Sequence, residues 1–155
     1  MRVWRICPQP YVSSALPGLG GLYAAGRWHY KGQPIVYSSA TPSLAALEVL
    51  VHVDPALAPS EMRLVEIDVP SEVSLERCNP ETLNDDWMSY PARSELQDFG
   101  SNWLSSLRSA VLEVPAAVMP VESNFLLNPR HPQFTHVSVV RELPFSFDSR
   151  LLRTM

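Results

Sequence analysis

Cysteine is nearly missing from this chain. Cys7 and Cys78 are the two in 155 residues, too few and too widely spaced for a disulfide framework or a metal-ligand set, so buried free thiols in a reducing compartment are expected. Long apolar runs are missing too: no stretch approaches the ~18 residues of a membrane helix, and the opening MRVWRICPQP lacks a signal peptide's apolar core. A cytoplasmic protein without a membrane partner is predicted. Positive charge is also scarce, with 12 Lys and Arg against 16 Asp and Glu and a net charge of −4. That leaves no electrostatic footprint for nucleic acid. Anionic small molecules remain open as ligands, because a pocket can be locally basic on an acidic protein.

Glycine is sparse and concentrated: five of the six fall at positions 18, 20, 21, 26 and 32. They do not fit G-x-G-x-x-G, no strand-turn-helix frame surrounds them, and no Walker lysine follows, which excludes a Rossmann or P-loop site. Residues 11–34 are therefore expected to be a loop with little regular structure, and long loops in compact domains are often functional. The four histidines contain no H-E-x-x-H, and His131 and His136 suit neither a helix face nor a strand face, so no metal is expected. There is no G-x-S-x-G elbow to anchor a hydrolase triad.

What is present looks like an ordinary globule, 46% hydrophobic and 18% charged, and long enough for one domain over residues 1–155. Its centre of interest is GRWHYKGQPIVYSSATPSLAALEVLVHV, residues 26–53, which presents Arg27, Tyr37 and Glu48. PIVYSS predicts a strand with Tyr37 on the side of Ile35 and Ser39. Thr41 then suits an N-cap, with Pro42 at the first helical position. The following helix is expected to bury Leu44, Leu47 and Val51 on one face, with Glu48 at its edge. An aromatic on a strand, a carboxylate on a helix and an arginine upstream suit a ligand flat at one end and anionic at the other. A core tyrosine, a flanking glutamate and a surface arginine are the plainer alternative.

Elsewhere, residues 3–7 predict a strand stopped by Pro8 and Pro10. Arg5 inside it either faces solvent, the commoner outcome, or lines a pocket. DPALAPS is expected to be a connector, and MRLVEIDVP a half-buried strand with Val65, Ile67 and Val69 on one side. Residues 79–91 are polar and turn-rich. Residues 92–110 carry Leu96, Phe99, Trp103 and Leu107 at helical spacing, and Gly100 leaves one helix or two open. The C-terminal third predicts strands at 111–114, 116–118 and 137–143, joined by a turn at NPRHP. The sum is an α+β domain with a mixed or antiparallel sheet and few helices.

In order along the chain, WRI, GRW, PIVYSS, AALEVL and finally VPAAVMPVESNFLLNPRHPQF resemble the RES domain family, the toxins of bacterial toxin–antitoxin pairs whose antitoxins are Xre-type proteins. The resemblance implies a fold similar to the ADP-ribosyltransferase toxins and NAD as substrate, which is either degraded, with phosphate as one acceptor, or used to transfer ADP-ribose to a protein. Carried over by motif, Arg27, Tyr37 and Glu48 are the implied catalytic set. Arg5 is a second arginine, and Asn124 and Asn128 lie near the pocket. Where the family has V-P-S, this chain has Val114, Pro115 and Ala116, so an NAD-binding position loses a hydroxyl donor. That departure leaves open a member that works without the serine, a position altered to silence a toxin so that it could be produced, or a binding module that has lost turnover.

The chemistry has its own logic. Breaking the nicotinamide–ribose bond passes through an oxocarbenium-like state, which a carboxylate such as Glu48 stabilises. Arg5 and Arg27 offer forked donors to a pyrophosphate, and the Tyr37 ring can stack on nicotinamide.

Overall fold

The computed structural model describes residues 1–54 and 61–152. Seven strands form one sheet: β1 (Arg2–Pro8), β2 (Val36–Ser39), β3 (Met62–Asp68), β4 (Leu75–Arg77), β5 (Val111–Pro115), β6 (Ser123–Leu127) and β7 (Ser138–Phe145). Their order is β4-β5-β6-β2-β1-β3-β7. β4 runs parallel to β5, and the remaining pairs are antiparallel. With three α-helices among the described residues, α1 (Gly20–Tyr23), α2 (Pro42–Leu50) and α3 (Ser94–Ser106), this is the mixed-sheet α+β architecture that the sequence predicts.

Strand alternation divides the core between the two faces of the sheet. Val3, Val36, Val65, Ile67, Val111 and Leu127 pack on the first face. On the second, Ile35, Leu112, Val114 and Leu126 pack with Trp28, Trp103 and Leu104 on one half, while Ile6, Ala45 and Met62 form a smaller cluster on the other. α3 covers the β5–β6 half and α2 the β1–β3 half.

Local signals explain α2. The Thr41 side chain accepts the Leu44 amide at 3.1 Å, Pro42 opens the helix, and the Thr41 hydroxyl donates to Glu122 on the β5–β6 connection at 2.9 Å. The expected burial stripe is rotated, however. Leu44 and Ala45 are buried and Val49 packs beside Ile6, whereas Val51 is 56% exposed. In a helix that is apolar nearly all round, spacing alone cannot choose the face, and contact with β1 chooses it.

Gly100 does not break α3. An added Cβ there would strike the Trp28 carbonyl, so glycine is present for close approach and one helix results. Leu107 caps this helix in a left-handed conformation and is 42% exposed, outside the buried stripe.

Three further expectations change. Residues 116–118 are not a strand but part of the connection from β5 to β6, closed by the Ala116 amide donating to the Glu122 carbonyl at 3.1 Å. Strands β4 and β6 are additional to those expected. Residues 11–34 hold the end of a 3-10 turn (Gln9–Ser14), α1 and a bridge between Gly26 and His29, so they are more ordered than a plain loop. The connector expected at DPALAPS lies, apart from Asp54, outside the described residues.

Candidate active site

β1 and β2 meet at a single register pair, Trp4 with Ser39. Beyond it the Tyr37 carbonyl accepts from Arg5 Nη1 at 2.9 Å instead of continuing the ladder. Over this opening, between α2 and the chain that α3 clamps, lies a cavity of about 1070 Å³ that Arg5, Arg27, Tyr37, Glu48 and Asn124 all line.

The clamp is built of polar contacts. Gln97 on α3 donates to the Gly26 carbonyl at 3.0 Å, Ser101 Oγ accepts the Tyr30 amide at 3.0 Å, and the Tyr30 hydroxyl donates to Asp98 at 2.8 Å. Gly26 has no room for a side chain, since an added Cβ would sit 2.5 Å from the Tyr37 hydroxyl. The segment carrying Arg27 is thereby pressed against Tyr37.

Arg5 lines the cavity and does not face solvent as the commoner outcome would have it; its Nε is buried without a hydrogen-bond partner. Arg27 Nη1 donates to the carbonyls of Trp87 at 2.7 Å and Ser89 at 3.0 Å. Burial is the main influence on both guanidinium groups and lowers their pKa, opposed at Arg27 chiefly by the charge of Glu48. Arginine stays protonated regardless. Among the described residues no carboxylate lies within salt-bridge distance of either side chain. Two cations therefore meet the cavity without a paired counter-charge, an arrangement that favours an anionic ligand.

Glu48 Oε1 accepts from Asn124 Nδ2 at 2.6 Å, and Asn124 Oδ1 accepts from Ser39 Oγ at 2.8 Å. This chain runs from β2 through β6 to α2 and holds the carboxylate in one orientation. Asn124 is thus brought to the site. Asn128 is not: it is fully buried, donates to the Leu104 carbonyl at 3.0 Å and accepts the Arg130 amide at 3.1 Å, which makes it a turn residue. Ala116 is also fully buried and absent from the lining, where Pro115, Ala117 and Val118 stand instead. The position expected to bind NAD lies behind the wall.

The Tyr37 hydroxyl accepts the Trp28 amide at 3.2 Å and lies 2.9 Å from His29 Nδ1. Burial raises the phenol's pKa well above its ordinary value, so it is neutral. His29 is 2% exposed, and burial lowers its pKa against the raising pull of backbone at Gly21 and Ala24. The direction of the His29–Tyr37 bond follows the imidazole tautomer, and in either direction the hydroxyl is engaged on both sides. Sequence reasoning missed His29 and the role of Ser39, since the first is known by its partner and the second by cross-strand register with Asn124. Among the described residues no cluster of three or more His, Cys, Asp or Glu could hold a metal ion, and no helix could cross a membrane.

Comparison with known proteins adds identity to this geometry. A family model described as RES domain matches residues 2–148. The chain is 38% identical over 152 residues to "Toxin Res" of Yersinia enterocolitica, covering 97% of this chain and 99% of that protein. It is 39% identical over 153 residues to "Toxin Res" of Pseudomonas putida, covering 97% and 99%. It is 37% identical over 154 residues to "Prs ADP-ribosylating toxin" of Sphingobium sp., covering 97% and 96%. Among solved structures, a chain of the M. tuberculosis MbcT–MbcA toxin–antitoxin complex aligns with a TM-score of 0.75 at 18% identity, over 94% of this chain and 84% of that one. That last likeness is one of fold.

Proposed function

The chain belongs to the RES domain family, and from that premise we propose that it is the toxin of a bacterial toxin–antitoxin pair, an enzyme that cleaves NAD at the nicotinamide–ribose bond in the cytoplasm until a cognate Xre-type antitoxin restrains it. The observation that carries this reading is the pair of guanidinium groups, Arg5 and Arg27, without carboxylate partners on a cavity that also holds Glu48. The arginines hold the pyrophosphate. The Tyr37 ring faces the nicotinamide, and Glu48, kept in place by Asn124, stabilises the ribose as its bond to nicotinamide breaks.

Nicotinamide departs as a neutral base with the bonding electron pair, so no strong general acid is required. An acceptor oxygen then bonds to the ribose anomeric carbon and releases its proton to solvent. Phosphate or water completes NAD degradation. Transfer to a protein acceptor is the second reading, favoured by the name of the Sphingobium relative. The burial of Ala116 away from the lining weighs against a module without turnover.

Incubating purified protein with NAD labelled in the adenylate half, with and without phosphate and with cell extract, tests the proposal. Free nicotinamide with label in a small phosphorylated or hydrolysed product is expected, and label on a protein would select the second reading. Intact NAD in every arm would refute both.

A further inference from the structure

The cavity is larger than the chemistry just described requires. Its volume of about 1070 Å³ reaches the top of the range of roughly 300–1,000 Å³ for small-molecule pockets, so a ligand with a second end has room. The charged and hydrogen-bonding groups lie on β1, β2, β6, the Glu48 face of α2 and the segment after α1 that carries Arg27. The more exposed portion of the lining, at the mouth, is made of residues 51–53 after α2 and of Met88, Tyr90, Pro91 and Ala92.

That mouth carries several exposed apolar or aromatic side chains. Tyr90 is 82% exposed, Val51 56% and Met88 44%, and all three line the cavity. The His52 and Tyr90 rings stand 6.5 Å apart between centroids and are tilted by 53°. This is a loose ring pair at the outer end of the favourable range, with ring surface left uncovered. Ring surface exposed at a cavity mouth is available to stack on a flat ligand.

The rim is also braced. Trp87, immediately before Met88, is buried in the second-face core, and its carbonyl and that of Ser89 both accept from Arg27 Nη1. One arginine thus reaches the cavity and fixes the loop that carries Tyr90.

We propose that Tyr90, Met88 and His52 form a base-binding subsite at the cavity mouth that takes a purine-type base, the adenine end of the dinucleotide whose other end is cleaved beside Glu48. This rests on the NAD reading of the same cavity. A stacking platform tolerates base identity, and the bracing through Arg27 links base capture to the cation that holds the phosphates.

The test compares the full chain with its Tyr90→Ala and Tyr90→Phe variants on NAD and on nicotinamide mononucleotide, which lacks the adenylate half. Tyr90→Ala should raise KM for NAD about tenfold, the scale of one lost base stack, with kcat retained. Tyr90→Phe, which keeps the ring, should behave as the wild type. With the mononucleotide, wild type and Tyr90→Ala should share one kcat/KM. An unchanged KM for NAD in Tyr90→Ala would overturn the subsite, as would an equal loss on both substrates. A variant with normal NAD kinetics and weakened antitoxin binding would reassign the rim to protein contact and overturn it as well. Calorimetric titration of millimolar adenosine monophosphate separates this inference from the activity. Binding to the wild type and loss in Tyr90→Ala would support the subsite even if NAD were not cleaved, whereas no binding to the wild type would overturn it while cleavage stood.

Discussion

At the scale of single residues, the Tyr37 hydroxyl is held from both sides by protein, so its ring and not its oxygen is what the cavity receives. Tyr37→Phe strands the Trp28 amide and His29 Nδ1, and should cost about 1–3 kcal/mol of stability while reducing NAD cleavage less than tenfold. Tyr37→Ala, which removes the ring, should lose far more activity, and chemical denaturation with steady-state kinetics separates the two. His29 brings a pH dependence. Its folded pKa lies below the ordinary value of about 6.5, so below that pH the unfolded chain binds the proton first and stability falls. The contribution is complete above about pH 6.5 and declines until pH reaches the lower folded value. His29→Gln should show a smaller drop in Tm between pH 7 and pH 5 than the wild type; an equal drop would mean that His29 titrates normally. Ala116→Ser should not raise activity, because the side chain is sealed behind the lining. A hydroxyl left unpaired there costs about 1–3 kcal/mol, visible as a lower Tm. A gain of tenfold or more in NAD consumption would return position 116 to the site.

Among the elements, α3 acts as the clamp on the segment carrying Arg27, and Gly100 is the point of closest approach. Gly100→Ala drives a methyl into the Trp28 carbonyl and should destabilise by about 1–3 kcal/mol despite alanine's better helix propensity. Thermal melting checks this, and a stabilised variant would contradict the packing. The same position shows where sequence becomes illegible: a helix breaker by propensity is a contact residue in space. Thr41–Pro42 announced α2 because a cap is a local event, and Val65 and Ile67, with Val69 just past the strand, announced the buried side of β3 because its period is local too. β6 went unseen because Ser123 and Asn124 open it with poor strand formers. Asn124 serves Glu48, so the site's chemistry overrode the pattern there. Residues 116–118 had the opposite fault, with apolar composition but a turn between two antiparallel neighbours. Arg27, Tyr37, Glu48 and Asn124 were legible as motif members. His29, Ser39 and the 87–91 rim depend on pairings across the fold that no spacing encodes.

For the whole molecule, a sheet that parts between β1 and β2 supplies the cavity, and an acidic chain of net charge −4 concentrates two unpaired guanidinium groups there. The proposed function requires that this cavity bind NAD and that Glu48 act on the bond-breaking step and not on binding. Nicotinamide release measured for the wild type and Glu48→Gln, alongside NAD affinity by calorimetry, addresses it most directly. Both proteins should fold alike and bind NAD with affinities within a few-fold, while the glutamine variant releases nicotinamide about a hundredfold or more slowly, the scale of losing one electrostatic stabiliser. Equal release rates from two folded proteins, or a wild type that neither binds nor cleaves NAD, would contradict it.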